Sequence, residues 1–293
     1  MPTKSLKHPK KELSPIGIFD SGYGGLTVLR EIRRLMPQYD YLYLGDNARA
    51  PYGTRSFERV YEFTLQAVRK LFDMGCPLVI LACNTASAKA LRTIQQRDLP
   101  QMDDPTRRVL GVIRPTVEVV SDITHTRHIG IVATQGTINS RTYELEMAKL
   151  HPDIIVTGQA CPMWVPLVEN QEYDKPGADY FVRRDIQELL QRDPDIDTII
   201  LGCTHFPLLL DKVRAYTPAH VQIISQGDYV ARSLADYLRR HPEMDCRITR
   251  TPTASHPQQG TIRFLTTENP ATFSPSATIF IGHKVEAHQV TLT

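Results

Sequence analysis

PLVILACNTASAKAL, residues 77–91, and TIILGCTHFPLLL, residues 198–210, repeat one pattern. Each opens on an unbroken apolar run too short for a helix of its own. It passes through a small residue to a cysteine, adds a polar pair that includes threonine, and then turns amphipathic. An apolar run without polar alternation is a strand buried on both faces, the habit of parallel sheets sandwiched between helices. The same alternation extends outward in both directions. Ile16–Phe19 reads as a strand with a helix over Leu26–Met36 behind it, and Tyr41–Leu44, Val109–Ile113, Ile129–Ala133, Ile154–Val156 and Val221–Ser225 read as further strands. Helices are expected over Ala86–Gln96 and Leu208–Tyr216. The fold class is therefore α/β, with mostly parallel, doubly wound sheets. The echo between the two cysteine segments is too short to establish a duplication. It suggests two similar halves, each offering one cysteine from the same structural position.

At 293 residues the chain is long for one core and comfortable for two domains. Polar stretches at Gln96–Arg108, Gln171–Gly177 and Thr249–Gly260 are the candidate linkers. We expect a tail over residues 1–14, a discontinuous first domain over 15–108 plus 211–293, and a second domain over 109–210. Hydrophobic residues make up 41% and charged residues 23%, and a net charge of +2 provides no field that would favour nucleic acid or membrane lipid. No apolar run approaches the roughly 18 residues that span a bilayer. The basic N-terminus MPTKSLKHPKKELS leads into no hydrophobic stretch of signal-peptide type, so a cytoplasmic chain with a solvated tail is expected, an interaction arm being the alternative. The five cysteines are odd in number, irregularly spaced and without a CxxC pair, which argues against a disulfide framework or a zinc site.

Ligands of open α/β sheets bind beyond the carboxyl ends of the strands. Four loops at such ends are polar: Asp20-Ser21-Gly22 with Gly24-Gly25, Gly45-Asp46 leading to Pro51-Tyr52-Gly53, Cys83-Asn84-Thr85, and Cys203-Thr204-His205. Both cysteines lie between a strand and a helix, and a helix N-terminus favours thiolate over thiol. One such cysteine would read as a buried structural thiol; two in matched settings favour chemistry. Cys76, Cys161 and Cys246 lack that match and read as structural. Asp20 is a helix cap or the partner of a general base. His205, two residues after Cys203, is a satisfied structural histidine or an acid/base partner. Glu169, ending WVPLVE, reads from spacing alone as a solvated glutamate. SGYGG matches neither a dinucleotide nor a P-loop fingerprint, and close backbone approach to a small anion explains it equally well.

Taken together, GIFDSGYGGLTVL, YLGDNARAPYG, LACNTAS, IGIVATQGTINS, CPMWVPLVE, LGCTHFPLL, RFLTT and FIGHKVE resemble the glutamate racemases of the aspartate/glutamate racemase superfamily, in order and from about Ile16 to Val285. The resemblance implies two pseudo-symmetric α/β domains with the substrate in the cleft between them, no cofactor and no metal, a homodimer, and a role in supplying D-glutamate for bacterial peptidoglycan. It implies that Cys83 deprotonates D-glutamate and Cys203 L-glutamate, that Asp20 assists Cys83, and that Glu169 and His205 assist Cys203. Ser21, Pro51, Tyr52, Gly53, Asn84, Thr85, Thr134 and Thr204 match positions that hold the substrate. One departure is Gly111-Val112-Ile113-Arg114-Pro115, where the family often has glutamate or glutamine before the proline; another is an insertion around Asp103–Arg108. The competing readings are a racemase for aspartate or another amino acid, an inactive regulatory homologue, and a thiol redox protein, which needs its two sulfurs within bonding reach.

Overall fold

The computed structural model describes residues 14–252 and 258–293. Residues 1–13 of the expected tail, and residues 253–257 of the last candidate linker, lie outside the described residues. The strands are β1 (Ile16–Asp20), β2 (Tyr41–Gly45), β3 (Leu78–Leu81), β4 (Arg108–Gly111), β5 (His128–Ala133), β6 (Ile155–Ala160), β7 (Thr198–Leu201), β8 (Gln222–Ser225), β9 (Ile262–Thr266) and β10 (Ala287–Gln289). They form a six-stranded sheet ordered β10-β9-β2-β1-β3-β4 and a four-stranded sheet ordered β6-β5-β7-β8. Every pairing is parallel. β1, β2, β3 and β7 are buried at every position, as their unbroken apolar runs require.

Without β9 and β10 the two sheets have one topology, since β2-β1-β3-β4 maps strand for strand onto β6-β5-β7-β8. The match extends to single hydrogen bonds. Ala82 N–H, just past β3, donates to Phe19 O on β1 at 2.8 Å, and Gly202 N–H, just past β7, donates to Val132 O on β5 at 2.8 Å. The next residue in each case is the cysteine. The echo between the two segments is thus a structural equivalence, and the chain is a pair of doubly wound halves.

Helices cover the sheets with periodic apolar faces. Helix Gly25–Leu35 buries Leu26, Val28, Leu29 and Ile32. Helix Phe57–Asp73 begins at Ser56, whose Oγ accepts from Arg59 N–H at 3.3 Å, and buries Val60, Thr64, Leu65, Val68, Leu71 and Phe72. Helix Gln226–Arg240, which follows the last strand of the smaller sheet, packs along Gly25–Leu35 of the larger one and fastens the halves together.

Several boundaries differ from the sequence reading. β4 belongs to the larger sheet, although residues 109–111 were expected to open the second domain. β8 belongs to the smaller sheet, although residues 211–293 were assigned to the first domain. Linker composition marks where a chain turns, not which sheet the next strand joins. We propose a domain division that follows the sheets, with crossings between β4 and β5 and between β8 and β9. The helix expected over Ala86–Gln96 starts earlier and is broken into Asn84–Lys89, Leu91–Thr93, a π-turn at Ile94–Asp98 and a 3-10 turn at Leu99–Gln101. The strand expected to reach Ile113 stops at Gly111, and helix Ile113–Val120 takes Pro115 into its first turn, where a missing N–H costs little. The Leu208–Tyr216 helix divides into a 3-10 turn, Phe206–Leu209, and Leu210–Tyr216. The candidate linker Gln171–Gly177 runs into helix Pro176–Arg192. The inserted Asp104 is tied down by Arg247 Nη2 at 2.6 Å.

Asp197, at the mouth of β7, holds the connection into β5. Its carboxylate accepts from Thr124 Oγ1 (2.6 Å), His125 N–H (2.6 Å), Thr126 N–H (2.8 Å) and Thr198 Oγ1 (2.9 Å). Burial works against the charge, but these donors outweigh it and hold the carboxyl down at about 2, below its usual 3.8. A folded value below the unfolded one stabilises the fold fully above the unfolded value and is lost as pH falls through the folded one. Asp197→Ala should therefore lower stability by about 2–3 kcal/mol at neutral pH, because it orphans the buried hydroxyls of Thr124 and Thr198 and removes the acceptor of the His125 and Thr126 N–H groups. Urea unfolding should show that deficit shrinking as pH drops from about 5 toward about 3; a deficit that does not change with pH would reject the assignment.

Candidate active site

A doubly wound sheet has its crevice where the strand order reverses. Here that is between β1 and β3 in one half and between β5 and β7 in the other. The residues at those four strand ends are Asp20-Ser21, Cys83-Asn84-Thr85, Thr134 and Cys203-Thr204-His205. All of these but Asp20, together with Pro51, Tyr52, Gly53 and Glu169, surround one cavity of about 120 Å³. Every site residue expected from the sequence lines it except Asp20, which is fully buried at the end of β1. The volume is well under the ~300–1,000 Å³ of pockets for drug-sized ligands, so the site suits a small molecule.

Cys83 caps helix Asn84–Lys89, and its Sγ accepts from Ala86 N–H at 3.4 Å and lies 3.4 Å from Ser21 Oγ. Contrary to the expectation from a helix N-terminus, the thiol is pushed up to about 12. Burial is the main cause and the neighbouring Asp20 charge adds to it, while Ser21 and the Ala86 N–H only partly offset them. A helix of one and a half turns supplies one aimed N–H, which cannot replace a water shell. Asp20 Oδ2 accepts from Gly22 N–H at 2.9 Å, whereas Oδ1 is buried with no partner among the described residues. Burial also raises the Asp20 carboxyl, against the pull of His205 and of the Gly22 and Gly25 amides.

Cys203 stands in a different field. Its Sγ is 3.9 Å from His205 Nδ1, and His205 Nε2 is 3.0 Å from Glu169 Oε1. Burial pulls the imidazole down, but the contacts with Cys203 and Glu169 more than compensate and raise it to about 10. His205 is thus a cation at neutral pH, placed between a sulfur and a carboxylate. Glu169 reaches it because helix Trp164–Glu169 docks through Trp164 onto Phe206, ring centroids 4.7 Å apart. Two cysteines in equivalent backbone positions therefore meet opposite charges: Asp20 beside Cys83, His205 beside Cys203.

The remaining walls are donors and close backbone. Thr85 Oγ1 lies 2.9 Å from Thr134 Oγ1 and 3.3 Å from Thr137 Oγ1, a hydroxyl cluster that joins the two halves. The loop Pro51-Tyr52-Gly53 follows a cis Ala50–Pro51 bond and crosses to the second half, where Gly53 O accepts from Gly136 N–H at 2.9 Å. The Tyr52 hydroxyl donates to the Asp46 carboxylate, which fixes its ring, and Pro51, Tyr52 and Gly53 all line the cavity. The sequence reading missed Cys161, Gln135, Thr54 and Val165 as lining residues. Cys161 directly follows β6 and opens CPMWVPLVE, a segment already singled out, but its burial gives no local signal. A second cavity of about 680 Å³ contains Arg114, which pairs with Glu118 at 2.9 Å, and none of the expected catalytic residues. Among the described residues, His128, Asp193 and Asp195 have ligand atoms within 4.8 Å of one another. They sit at the start of β5, the opposite strand end from Thr134, and His128 Nδ1 is already bonded to Asp193 at 3.0 Å. No helix among the described residues is long and apolar enough to cross a membrane.

At Gly24 the halves meet closely. A Cβ there would lie 2.3 Å from Thr204 Oγ1 and 2.5 Å from His205 Nδ1. Its backbone is right-handed helical, so alanine fits locally and the clash falls on the site. Gly24→Ala should keep the fold but lower activity by about 10²-fold, through displacement of His205 by a fraction of an ångström. Unchanged activity in a folded Gly24→Ala protein would reject the role of this contact.

Comparison with known proteins agrees with this geometry. The sequence profile of the Asp/Glu/Hydantoin racemase family matches residues 23–234. A glutamate racemase of Roseobacter denitrificans is 40% identical over 281 residues, covering 92% of this chain and 98% of that one. The crystal structure of a glutamate racemase isoform from Bacillus anthracis superposes with a TM-score of 0.83 at 32% identity, covering 96% of this chain and 99% of that one. The glutamate racemase of Francisella tularensis, solved in complex with D-glutamate, gives 0.81 at 29% identity, covering 96% and 98%. With matched half-sheets, paired strand-end cysteines and relatives alike over nearly their whole length, the chain is a member of the Asp/Glu/Hydantoin racemase family.

Proposed function

We propose that this chain interconverts L- and D-glutamate by a two-base mechanism that needs no cofactor, and that its D-glutamate feeds bacterial peptidoglycan synthesis. The observation that carries the reading is that Cys83 and Cys203, at equivalent positions in matching half-sheets, line one small cavity rich in hydroxyl and amide donors. Racemisation has to remove the α-proton from one face of a tetrahedral carbon and return one to the other, so it needs a base and an acid on opposite sides. An α-proton beside an ionised carboxylate is very weakly acidic, and its removal adds negative charge next to existing charge. Fixed donors in a water-poor site stabilise such charge; Ser21, Asn84, Thr85, Thr134 and Thr204 supply them, with the backbone N–H groups of Tyr52 and Gly53.

In the L-to-D direction the Cys203 thiolate, beside the His205 cation, takes the α-proton while the Cys83 thiol gives its proton to the other face. The C–H bond broken and the C–H bond formed balance, and the sulfurs exchange protonation states. In the D-to-L direction the roles reverse: Cys83 gives its proton to Asp20, the neighbouring acceptor with an unpartnered buried oxygen, His205 gives one to Cys203, and the Cys83 thiolate then takes the α-proton while the Cys203 thiol delivers its own to the other face. Glu169 holds His205 charged and in place.

Circular dichroism of L-glutamate with the purified chain and no additive should decay to zero. A stable signal ends the reading, and faster decay with L-aspartate would move the protein to the aspartate branch. The substrate's α-carbon should gain deuterium in heavy water. We carry a homodimer as part of the proposal, and sedimentation at the mass of a single chain would remove it.

A further inference from the structure

Gln226, the first residue of helix Gln226–Arg240, is buried at the crossing of both connections between the half-sheets. Its Oε1 accepts from Asn84 Nδ2 at 2.7 Å. Its Nε2 lies 2.7 Å from Tyr143 OH, 3.2 Å from Val112 O and 3.2 Å from Thr116 Oγ1. Tyr143 OH closes the ring by donating to Asn84 Oδ1 at 2.8 Å. Asn84, Tyr143, Thr116 and Val112 are all buried.

One atom sets the polarity of the ring. A backbone carbonyl only accepts, so the Gln226 atom facing Val112 O is the nitrogen. The Gln226 oxygen then faces Asn84, which must answer with its own nitrogen. The Asn84 oxygen is left for the Tyr143 hydroxyl, which in turn accepts from Gln226. Of the donors in the ring, the second N–H of Asn84 is left over, with no acceptor among the described residues, on a side chain that lines the cavity one residue after Cys83.

We propose that Gln226 is a positioning residue for racemisation. It passes the polarity of the Val112 carbonyl to Asn84, so that Asn84 presents N–H to a substrate carboxylate and never its oxygen. Without Gln226 the Asn84 amide is free to turn over and set an oxygen against the substrate's negative charge. The inference rests on the racemase reading above and adds a residue that touches no substrate.

Gln226→Leu should raise KM for glutamate about 10-fold, the loss of roughly one well-placed hydrogen bond to a charged group, and change kcat less. Because the effect runs through Asn84, Asn84→Ala with Gln226→Leu should be no worse in KM than Asn84→Ala alone; multiplicative losses would overturn the proposal. The near-isosteric Gln226→Glu keeps an acceptor oxygen facing Asn84 Nδ2, so its KM should stay nearer the wild-type value than that of Gln226→Leu, and a KM as high as that of Gln226→Leu would also overturn the proposal. In the wild-type chain with ¹⁵N-labelled side-chain amides, one Asn84 proton should shift when D-glutamate is added and the other should stay. Two shifting protons, or none, would count against the ring even where the variants do not fold. A wild type that leaves glutamate optically unchanged would remove the functional reading instead.

Discussion

Cys83→Ser and Cys203→Ser should each lower glutamate racemisation by about 10³-fold, within the usual range for removing one acid or base. Serine keeps the size of the side chain and, in Cys83, the cap on helix Asn84–Lys89, so the fold should survive. What is lost is a group whose proton can leave and return near working pH. The two variants should also differ in a way that separates a two-base site from a one-base site. With Cys203 intact and Cys83 replaced, the thiolate can still take the α-proton of L-glutamate, but only the same face can be reprotonated. In heavy water that variant should label L-glutamate without inverting it. Cys203→Ser should do the same to D-glutamate. Near wild-type racemisation by both variants would end the two-base proposal, and labelling of both enantiomers by each variant would show that the faces are not divided between the sulfurs.

His205→Asn should lower kcat/KM by about 10²-fold, and by the same factor from either enantiomer. L- and D-glutamate are equal in energy, so the equilibrium constant is one and the ratio of forward to reverse kcat/KM cannot change. The asymmetry of the site, a cation at Cys203 and a carboxylate at Cys83, can appear only in kcat and KM taken separately and in α-proton exchange of one enantiomer. Labelling of L-glutamate should fall first. The pH profile adds an independent check. His205 is raised from 6.5 to about 10, so its imidazolium persists through neutral pH and is lost as pH climbs through about 10. Its contribution to stability has the same sign, fully present below the unfolded value and lost through the folded one. Wild-type activity should decline on that alkaline limb, and His205→Asn should lack it. A variant with an unaltered alkaline limb would show that another group sets it.

Much of this was legible in the chain itself. PLVILA and TIIL announce strands buried on both faces, and the cysteines after them share a backbone position because the local pattern repeats. The family segments named the cavity walls, including Glu169, which spacing alone left on the surface. Helix ends were less legible, as at Ala86–Gln96, where a π-turn interrupts an otherwise helical pattern.

Sequence by itself determined that the protein is α/β, that two cysteines stand at strand ends, and which polar loops accompany them, because strand and helix periods and turn residues are local properties. Only the tertiary structure decided that β4 and β8 change sides, that Cys83 is held as a thiol while Cys203 faces a cation, and that Gln226 reaches Asn84 across 142 positions of chain. Strand pairing, burial and charge proximity depend on contacts between distant residues, and a local pattern carries no record of which distant partner it will meet.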